Sequence, residues 1–232
     1  MKTAFLSLLA SLCICLAPPL APINPGLQNG LVAWWTLNSS SADFTGSGHP
    51  GTLAGAVYYT NGPVSGAIAC PWPPNANNYI SVGNMGSFPA QGTLVFWMNP
   101  VAAGSYENPL QTDDSNTGLR FEWGSGTGYF CAVIAYTGSS DLHYFFASGC
   151  PSNQWVHVAC TWNVTANLMV GYTNGVQAFS EAQTHWPTAL PKVRFGTGYT
   201  SGRPWAGFLD DVLLYNRVLS AAEVRQLSAA AQ

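Results

Sequence analysis

Two carboxylates, Asp210 and Asp211, stand side by side in the run GFLDDVLLYNRVLSAAEVRQL, from Gly207 to Leu227. The residues around them are apolar, and a strand sends neighbouring side chains to opposite faces. Alternation puts Phe208, Asp210, Val212 and Leu214 on one face, and Leu209, Asp211, Leu213 and Tyr215 on the other. An ionised carboxylate among apolar groups is costly unless it is paired, hydrogen-bonded or bound to a cation. Basic partners are few: Lys192, Arg120, Arg194, Arg203, Arg217 and Arg225 serve everything after the first residues. Three arrangements satisfy Asp210: a calcium ion held by carboxylate and carbonyl oxygens, backbone N–H donors, or an arginine. Asp211 is expected at a wetter edge, beside Arg217 or Arg203.

A second test asks whether carboxylates are spaced for catalysis. A retaining glycosidase needs two of them about 5 Å apart, which on one strand means acids at i and i+2 or i+4. The glutamates are Glu107, Glu122, Glu181 and Glu223, and none has an acid at either spacing. Glu122, in LRFEWG, reads as a solvated or ligand-contacting strand residue. There is no G-x-S-x-G, H-E-x-x-H, P-loop or G-x-G-x-x-G sequence. Of the histidines, His49, His143, His157 and His185, His157 sits in the strand-like WVHVACTW and reads as a structural group bonded to backbone. The chain is therefore read as non-catalytic.

The elements that must carry these residues follow from composition and pattern. The chain has 232 residues, 47% hydrophobic and 13% aromatic, and only 7% charged, with a formal net charge of −3. Such a composition folds, and the net charge and scarcity of Lys and Arg argue against nucleic acid as a partner. A low-charge surface suits an extracellular protein that meets neutral, hydroxyl-rich ligands. Residues 1–21 read as a secretory signal peptide, with Lys2 before the apolar AFLSLLASLCICLA, a run too short to span a membrane. No later run is long enough to span one either. Residues 22–29 continue a Pro-rich linker without helical or strand period, and the domain runs from 30 to 228.

Within that domain, short apolar or alternating runs are separated by Gly, Asn, Pro and Ser, indicating eleven or so strands and an all-β sandwich or jelly roll. Asn174-Gly175 marks a hairpin. Ser220 with Glu223 forms a capping box, and Leu219 with Val224 a hydrophobic staple, so one short C-terminal helix starts at Ala221 and packs on a sheet edge through Val224 and Leu227. Cys70, Cys131, Cys150 and Cys160 remain after the leader; two disulfides are expected, with Cys150–Cys160 favoured because the two bracket a short loop and strand, and buried free thiols as the alternative.

The order of GLVAWWTLN, DFTGSGHPGTL, NNYISVGN, GTLVFWMNP, NQWVHVACTWN, LMVGYTNGV and GFLDDVLLYNRVLSAAEVRQL resembles a laminin-G-like jelly-roll domain of the concanavalin A-like lectin/glucanase superfamily, in its bacterial secreted form. The resemblance covers about residues 30 to 228. It implies a two-sheet antiparallel sandwich with first and last strands adjacent. It also implies that the loop after the first strand and the first Asp of the closing strand meet around a structural Ca2+. That assigns Asp43 and Asp210 as ligands, with carbonyls near Gly46, Gly48 and His49 in support. The resemblance includes glucanases, but their Glu-x-Asp-x-x-Glu run is absent here.

A sugar site combines an aromatic platform with a few convergent polar groups. Loop aromatics supply the candidates: Trp72 and Tyr79 in CPWPPNANNY, Trp186 in THWPTALP, and Tyr199, Arg203 and Trp205 in GYTSGRPW. Trp34, Trp97, Trp155 and Trp162 lie in strand patterns and read as core. The expected function is a secreted binding module for a carbohydrate or a glycoprotein surface. The alternative is a self-associating adhesive subunit, with the arm Pro18 to Asn29 pairing with a neighbouring copy.

Overall fold

A computed structural model describes residues 24–101, 106–112, 118–124, 129–134, 142–146, 149–198 and 203–230. The signal segment and Tyr199 lie outside the described residues. Strands dominate, as the alternating runs require. In chain order they are β1 (Leu31–Trp35), β2 (Gly51–Ala54), β3 (Tyr58–Gly62), β4 (Ser65–Cys70), β5 (Tyr79–Val82), β6 (Gln91–Pro100), β7 (Glu107–Gln111) and β8 (Leu119–Gly124). There follow β9 (Tyr129–Ile134), β10 (Leu142–Phe145), β11 (Val156–Asn163), β12 (Leu168–Thr173), β13 (Val176–Ala182), β14 (Val193–Phe195) and β15 (Gly207–Tyr215). Helix α1 (Pro25–Gln28) precedes them and α2 (Ala221–Ala229) closes the chain.

The strands form two antiparallel sheets. One runs β13-β12-β11-β6-β15-β4-β3, with β1 also on β15, and the other runs β10-β9-β8-β7-β14-β5-β2. First and last strands are therefore adjacent, with Trp34 opposite Leu213. The core between the sheets takes alternate residues from each strand: Leu94, Phe96 and Met98 of β6, Phe121 and Trp123 of β8, Ile80 and Val82 of β5, and Phe195 of β14. The Asn174-Gly175 turn joins β12 to β13 with φ of 49° and 76°, the positive pair a two-residue hairpin needs.

The other face of the eight-stranded sheet carries a second apolar cluster. Val95, Ala159, Tyr172, Leu213 and Tyr215 gather there with Trp34, Leu219, Val224, Leu227 and Leu27. Helix α2 thus adds Val224 and Leu227 to this outer cluster and also meets the edge strand β13. Its start at Ala221 is set by the Ser220–Glu223 capping box.

Two expectations are corrected. Within the segment read as a linker, Asn24 caps the single turn of α1, Leu27 is buried, and Arg217 donates to the Asn29 carbonyl at 2.7 Å. No Cys150–Cys160 bridge forms. Cys70, Cys150 and Cys160 are free thiols filling separate places in the core, and burial pushes Cys70 up to about 12. The side chain of Cys131 lies outside the described residues. Strict alternation through the acid pair also fails. The register of β15 slips against β6 between Asp210 and Leu213, and Asp211 adopts φ +43°. This bulge places an extra residue in the strand. Leu209, Val212 and Leu214 face the inter-sheet core, while Leu213 and Tyr215 face the second cluster.

Candidate functional site

The acid pair lies on the α2-covered side of the eight-stranded sheet. Asp210 is fully buried; its Oδ2 accepts the Val64 N–H at 3.0 Å and its Oδ1 has no hydrogen bond. Asp211 is buried too, and its Oδ1 accepts the Trp34 Nε1–H at 2.8 Å. It is therefore not at a wet edge, and its expected partners are engaged elsewhere: Arg217 pairs with Glu223, and Arg203 with Glu122. Burial, followed by the Asp211 charge, pushes Asp210 up to about 8; burial pushes Asp211 up to about 7. His157, two strands away from Asp210 in the same row across Trp97, is lowered to about 3 by burial, and its Nδ1 has no hydrogen bond.

The Asp43 loop meets this region through Trp34. Asp43 Oδ1 accepts the Trp34 N–H at 3.2 Å, the Thr45 N–H at 3.0 Å and the Thr45 hydroxyl at 2.7 Å. Its Oδ2 accepts the His49 N–H at 3.3 Å, and the His49 carbonyl accepts the Trp35 Nε1–H at 2.8 Å. One tryptophan thus joins Asp43 and Asp211, by its backbone N–H and its ring N–H. The residues assigned to Ca2+ do not fit it in this arrangement. The Asp43 oxygens face four hydrogen-bond donors, whereas a calcium ligand must turn its lone pairs to the ion. Among the described residues, no group of three or more His, Cys, Asp or Glu could hold a metal. Gly46 and Gly48 supply left-handed turns in the loop, with φ of 74° and 90°.

A different polar concentration lies on the outward face of the seven-stranded sheet. Cross-strand register aligns Ser81, Arg194, Gln111 and Arg120 in one row over β5, β14, β7 and β8. Glu122 follows Arg120 on the same face of β8, with Phe121 between them pointing into the core. Arg120 Nε meets Glu122 Oε1 at 2.8 Å, and Arg203 Nη1 also binds that oxygen. Arg120 and Glu122 are each only 1% exposed. Asn108 Nδ2 donates to Gln111 Oε1 at 3.2 Å, while Asn108 Oδ1 and Thr197 Oγ1 are buried without hydrogen bonds. Beside this buried layer stand two tyrosine–arginine pairs. The Arg194 guanidinium lies 5.1 Å from the half-buried Tyr79 ring, and that of Arg203 lies 5.5 Å from Tyr106, which is 51% exposed.

The sequence candidates scatter over this architecture. Tyr79 and Arg203 join the band. Trp72 is 58% exposed on the β4–β5 connection that leads to Tyr79. Trp186 is half-buried against Phe88, with ring centroids 6.4 Å apart. Trp205 is corrected: it is fully buried and packs edge-on to Trp123, so neither ring face is free to stack on a ligand. Of the two readings of Glu122, solvated or ligand-contacting, the first is corrected: the residue is buried and doubly paired. Sequence reasoning missed Asn108, Gln111, Arg120, Arg194 and Tyr106. The available signal was Arg120 and Glu122 at i and i+2 of one strand, in a chain with only seven basic residues.

A sequence profile described as the concanavalin A-like lectin/glucanases superfamily matches residues 74–225. No curated protein matches the chain. Among solved structures, domain 4 of AbnA, a GH43 extracellular arabinanase from Geobacillus stearothermophilus in complex with arabinotriose, superposes with TM-score 0.68 at 19% identity, over 87% of this chain and 98% of that one. The binding domain of Paraclostridial Mosquitocidal Protein 1 gives TM-score 0.70 at 19% identity, over 87% of this chain and 52% of that one. Botulinum neurotoxin type C, whose cell entry depends on interaction with two ganglioside molecules, gives 0.71 at 13%, over 89% of this chain and 52% of that one. The chain thus spans about half the length of the two toxin structures, and at these identities the likeness is one of fold.

Proposed function

We propose that this chain, which belongs to the concanavalin A-like lectin/glucanases superfamily, is a non-catalytic module that binds a glycan on the outward face of its seven-stranded sheet. The observation that carries this reading is the convergence of Arg120, Arg194, Arg203 and Glu122 on one face, with two tyrosines at its accessible side. A protein with so few charges places three of its seven basic residues there. Aromatic faces cover the C–H surface of a sugar, and fixed polar groups meet its hydroxyls. Trp72 adds an exposed ring on the β4–β5 connection that leads to Tyr79. Arabinotriose bound to an extracellular arabinanase domain of the same fold supports the ligand class. On this reading the chain acts outside the cell, behind the leader of residues 1–21.

The acids do not suit catalysis. Glu122 already accepts two guanidinium groups, and Glu107 lies opposite Trp123, whose ring is in the core. Asp210 and Asp211 are adjacent but buried. Self-association through the arm has no support from residues 24–29, since Leu27 and Asn29 are engaged by the chain's own β15–α2 region.

The test is calorimetry against a panel of plant, bacterial and animal glycans. Tyr79→Ala and Tyr106→Ala should each weaken binding of the selected glycan roughly fivefold or more, since stacked rings contribute about 1 kcal/mol. Trp205→Phe should leave affinity unchanged. Full affinity in both tyrosine variants refutes the site.

A further inference from the structure

We infer that the glycan carries a carboxylate, and that Arg194 is the residue that receives it: the ligand class is an acidic sugar such as a hexuronate or a terminal ulosonate. The inference rests on the binding face proposed above and specifies what that face selects.

The argument starts from the partners of the three arginines. Arg120 and Arg203 both meet Glu122. Among the described residues Arg194 has no ion pair, and its Nε is buried without a hydrogen bond. Its recorded neighbour is the ring of Tyr79, at 5.1 Å. Ring and guanidinium attract each other, but a π face does not accept the N–H bonds that a guanidinium directs in its own plane. A half-buried cation with unused in-plane donors is a costly thing to retain in a domain this poor in charge.

The strand positions explain how such a residue is held. Phe195 and Val193 anchor β14 in the core on either side, so Arg194 must project outward. Ser81 and Gln111 stand directly opposite it on the flanking strands. Tyr79, two residues before Ser81, is on the same face and holds the guanidinium from one side. The result is a fixed planar fork, flanked by a hydroxyl and an amide, with an aromatic ring beside it. A guanidinium fork matches a carboxylate in two parallel hydrogen bonds. Ser81, partly exposed, suits a neighbouring hydroxyl of the same sugar, while the buried Gln111 is bonded to Asn108. Asn108 Oδ1, whose amide Nδ2 donates to Gln111, is a further buried polar atom on this side without a hydrogen bond.

The experiment uses the chain from residue 22 onward and two matched ligand pairs: oligogalacturonate with its methyl ester, and sialyllactose with lactose. The expected result is a preference for the acidic member of at least one pair of roughly tenfold to a hundredfold, the range of a charge-assisted hydrogen bond. The preference shrinks as salt rises. In Arg194→Gln the preference disappears while binding of the neutral member persists; in Arg194→Lys it survives in part, because charge remains but the fork does not. Circular dichroism and melting of each variant check that the fold is intact. Equal affinity for acid and neutral members in both pairs overturns the inference. So does a preference that Arg194→Gln leaves unchanged. If acidic and neutral members bind equally, and that binding is lost in Tyr79→Ala, the inference alone fails and the binding face stands. If all glycans bind normally to Tyr79→Ala and Tyr106→Ala, the face itself is wrong.

Discussion

The two outward faces of this sandwich handle acidic groups in opposite ways. On the eight-stranded sheet, Asp210 and Asp211 receive neutral donors, the Val64 N–H and the Trp34 ring N–H, with Leu27, Val224 and Leu227 in the apolar layer of that side. On the seven-stranded sheet, Glu122 receives two arginines. The first solution needs no counter-charge and leaves the carboxyls holding protons well above their ordinary range. The second concentrates charge and leaves a cation, Arg194, at its side. A face sealed by its own helix stabilises the fold; a face with a cation to spare is equipped to meet something else.

The largest way to break this contrast is to remove the shared acid. Glu122→Gln removes the charge that Arg120 and Arg203 share, and loss of one member of a buried pair typically costs about 3 to 5 kcal/mol. Urea unfolding should show a loss of that size. A change below about 1 kcal/mol would mean that the buried pairing contributes little, and that the two faces differ less than their geometry implies.

The sealed face answers to pH instead. Asp210 is raised to about 8 and Asp211 to about 7, mainly by burial, whereas both ordinarily titrate near 4. Between those limits the folded state keeps protons that the unfolded chain sheds, so stability falls as pH rises. The contribution is fully present below about pH 4, declines up to about pH 8, and is flat beyond. Asp210→Asn should therefore gain on the parent as pH rises from 5 to 9, by on the order of 2 kcal/mol. Parallel stability curves for parent and variant across that range would show that Asp210 is ionised in the folded state throughout. Glu223 behaves in the opposite sense. The Arg217 side chain holds it down to about 2, so its contribution is lost only in strong acid, outside this window.

How much of this was legible beforehand depended on whether a residue obeyed its local pattern. The sandwich, the Asn174-Gly175 hairpin and the start of α2 are written in alternation, turn chemistry and a capping box, all short-range signals. The Asp210–Asp211 bulge is not, because it arises only when β15 pairs with β6 and β1 together. Strand β7 carries no clean alternation for a similar reason: Pro109 interrupts it, and its register against β8 shifts between Glu107 and Leu110. That strand carries Asn108 and Gln111, so much of the polar band was invisible to a scan for loop aromatics. Trp205 misled in the other direction. Its Pro-flanked turn looks exposed in sequence, but the chain folds it into the core against Trp123.

A smaller effect separates the faces through the helix that covers one of them. Ser220→Ala removes the cap of α2, whose hydroxyl accepts the Glu223 N–H and whose own N–H bonds Glu223 Oε2 at 2.7 Å. Loss of such a cap costs about 1 kcal/mol. Stability should fall by that amount while glycan affinity stays the same, since α2 and the band lie on opposite sides of the sandwich. A parallel loss of affinity would show that the two faces communicate.

The smallest effect expected is none at all, and it concerns calcium. Resemblance assigns the ion to Asp43 and Asp210, and a bound ion would make the closing strand a metal-held element rather than a proton-held one. The geometry opposes this at both ends. Asp43 Oδ1 is taken by Trp34 and Thr45, and its Oδ2 already accepts the His49 N–H. Asp210 keeps one free oxygen, Oδ1, but has its charge disfavoured by burial and by Asp211. Melting temperature should therefore be the same, within error, in millimolar calcium and in chelator. A calcium-dependent rise would demand that the Asp43 loop rearrange to release its donors. It would also reverse the pH trend, because a bound divalent cation favours the ionised carboxylates that burial opposes. The two measurements are thus one test: stability that falls with pH and ignores chelator belongs to a carboxyl pair held by Trp34 and Val64, whereas stability that rises with both pH and calcium belongs to a metal site.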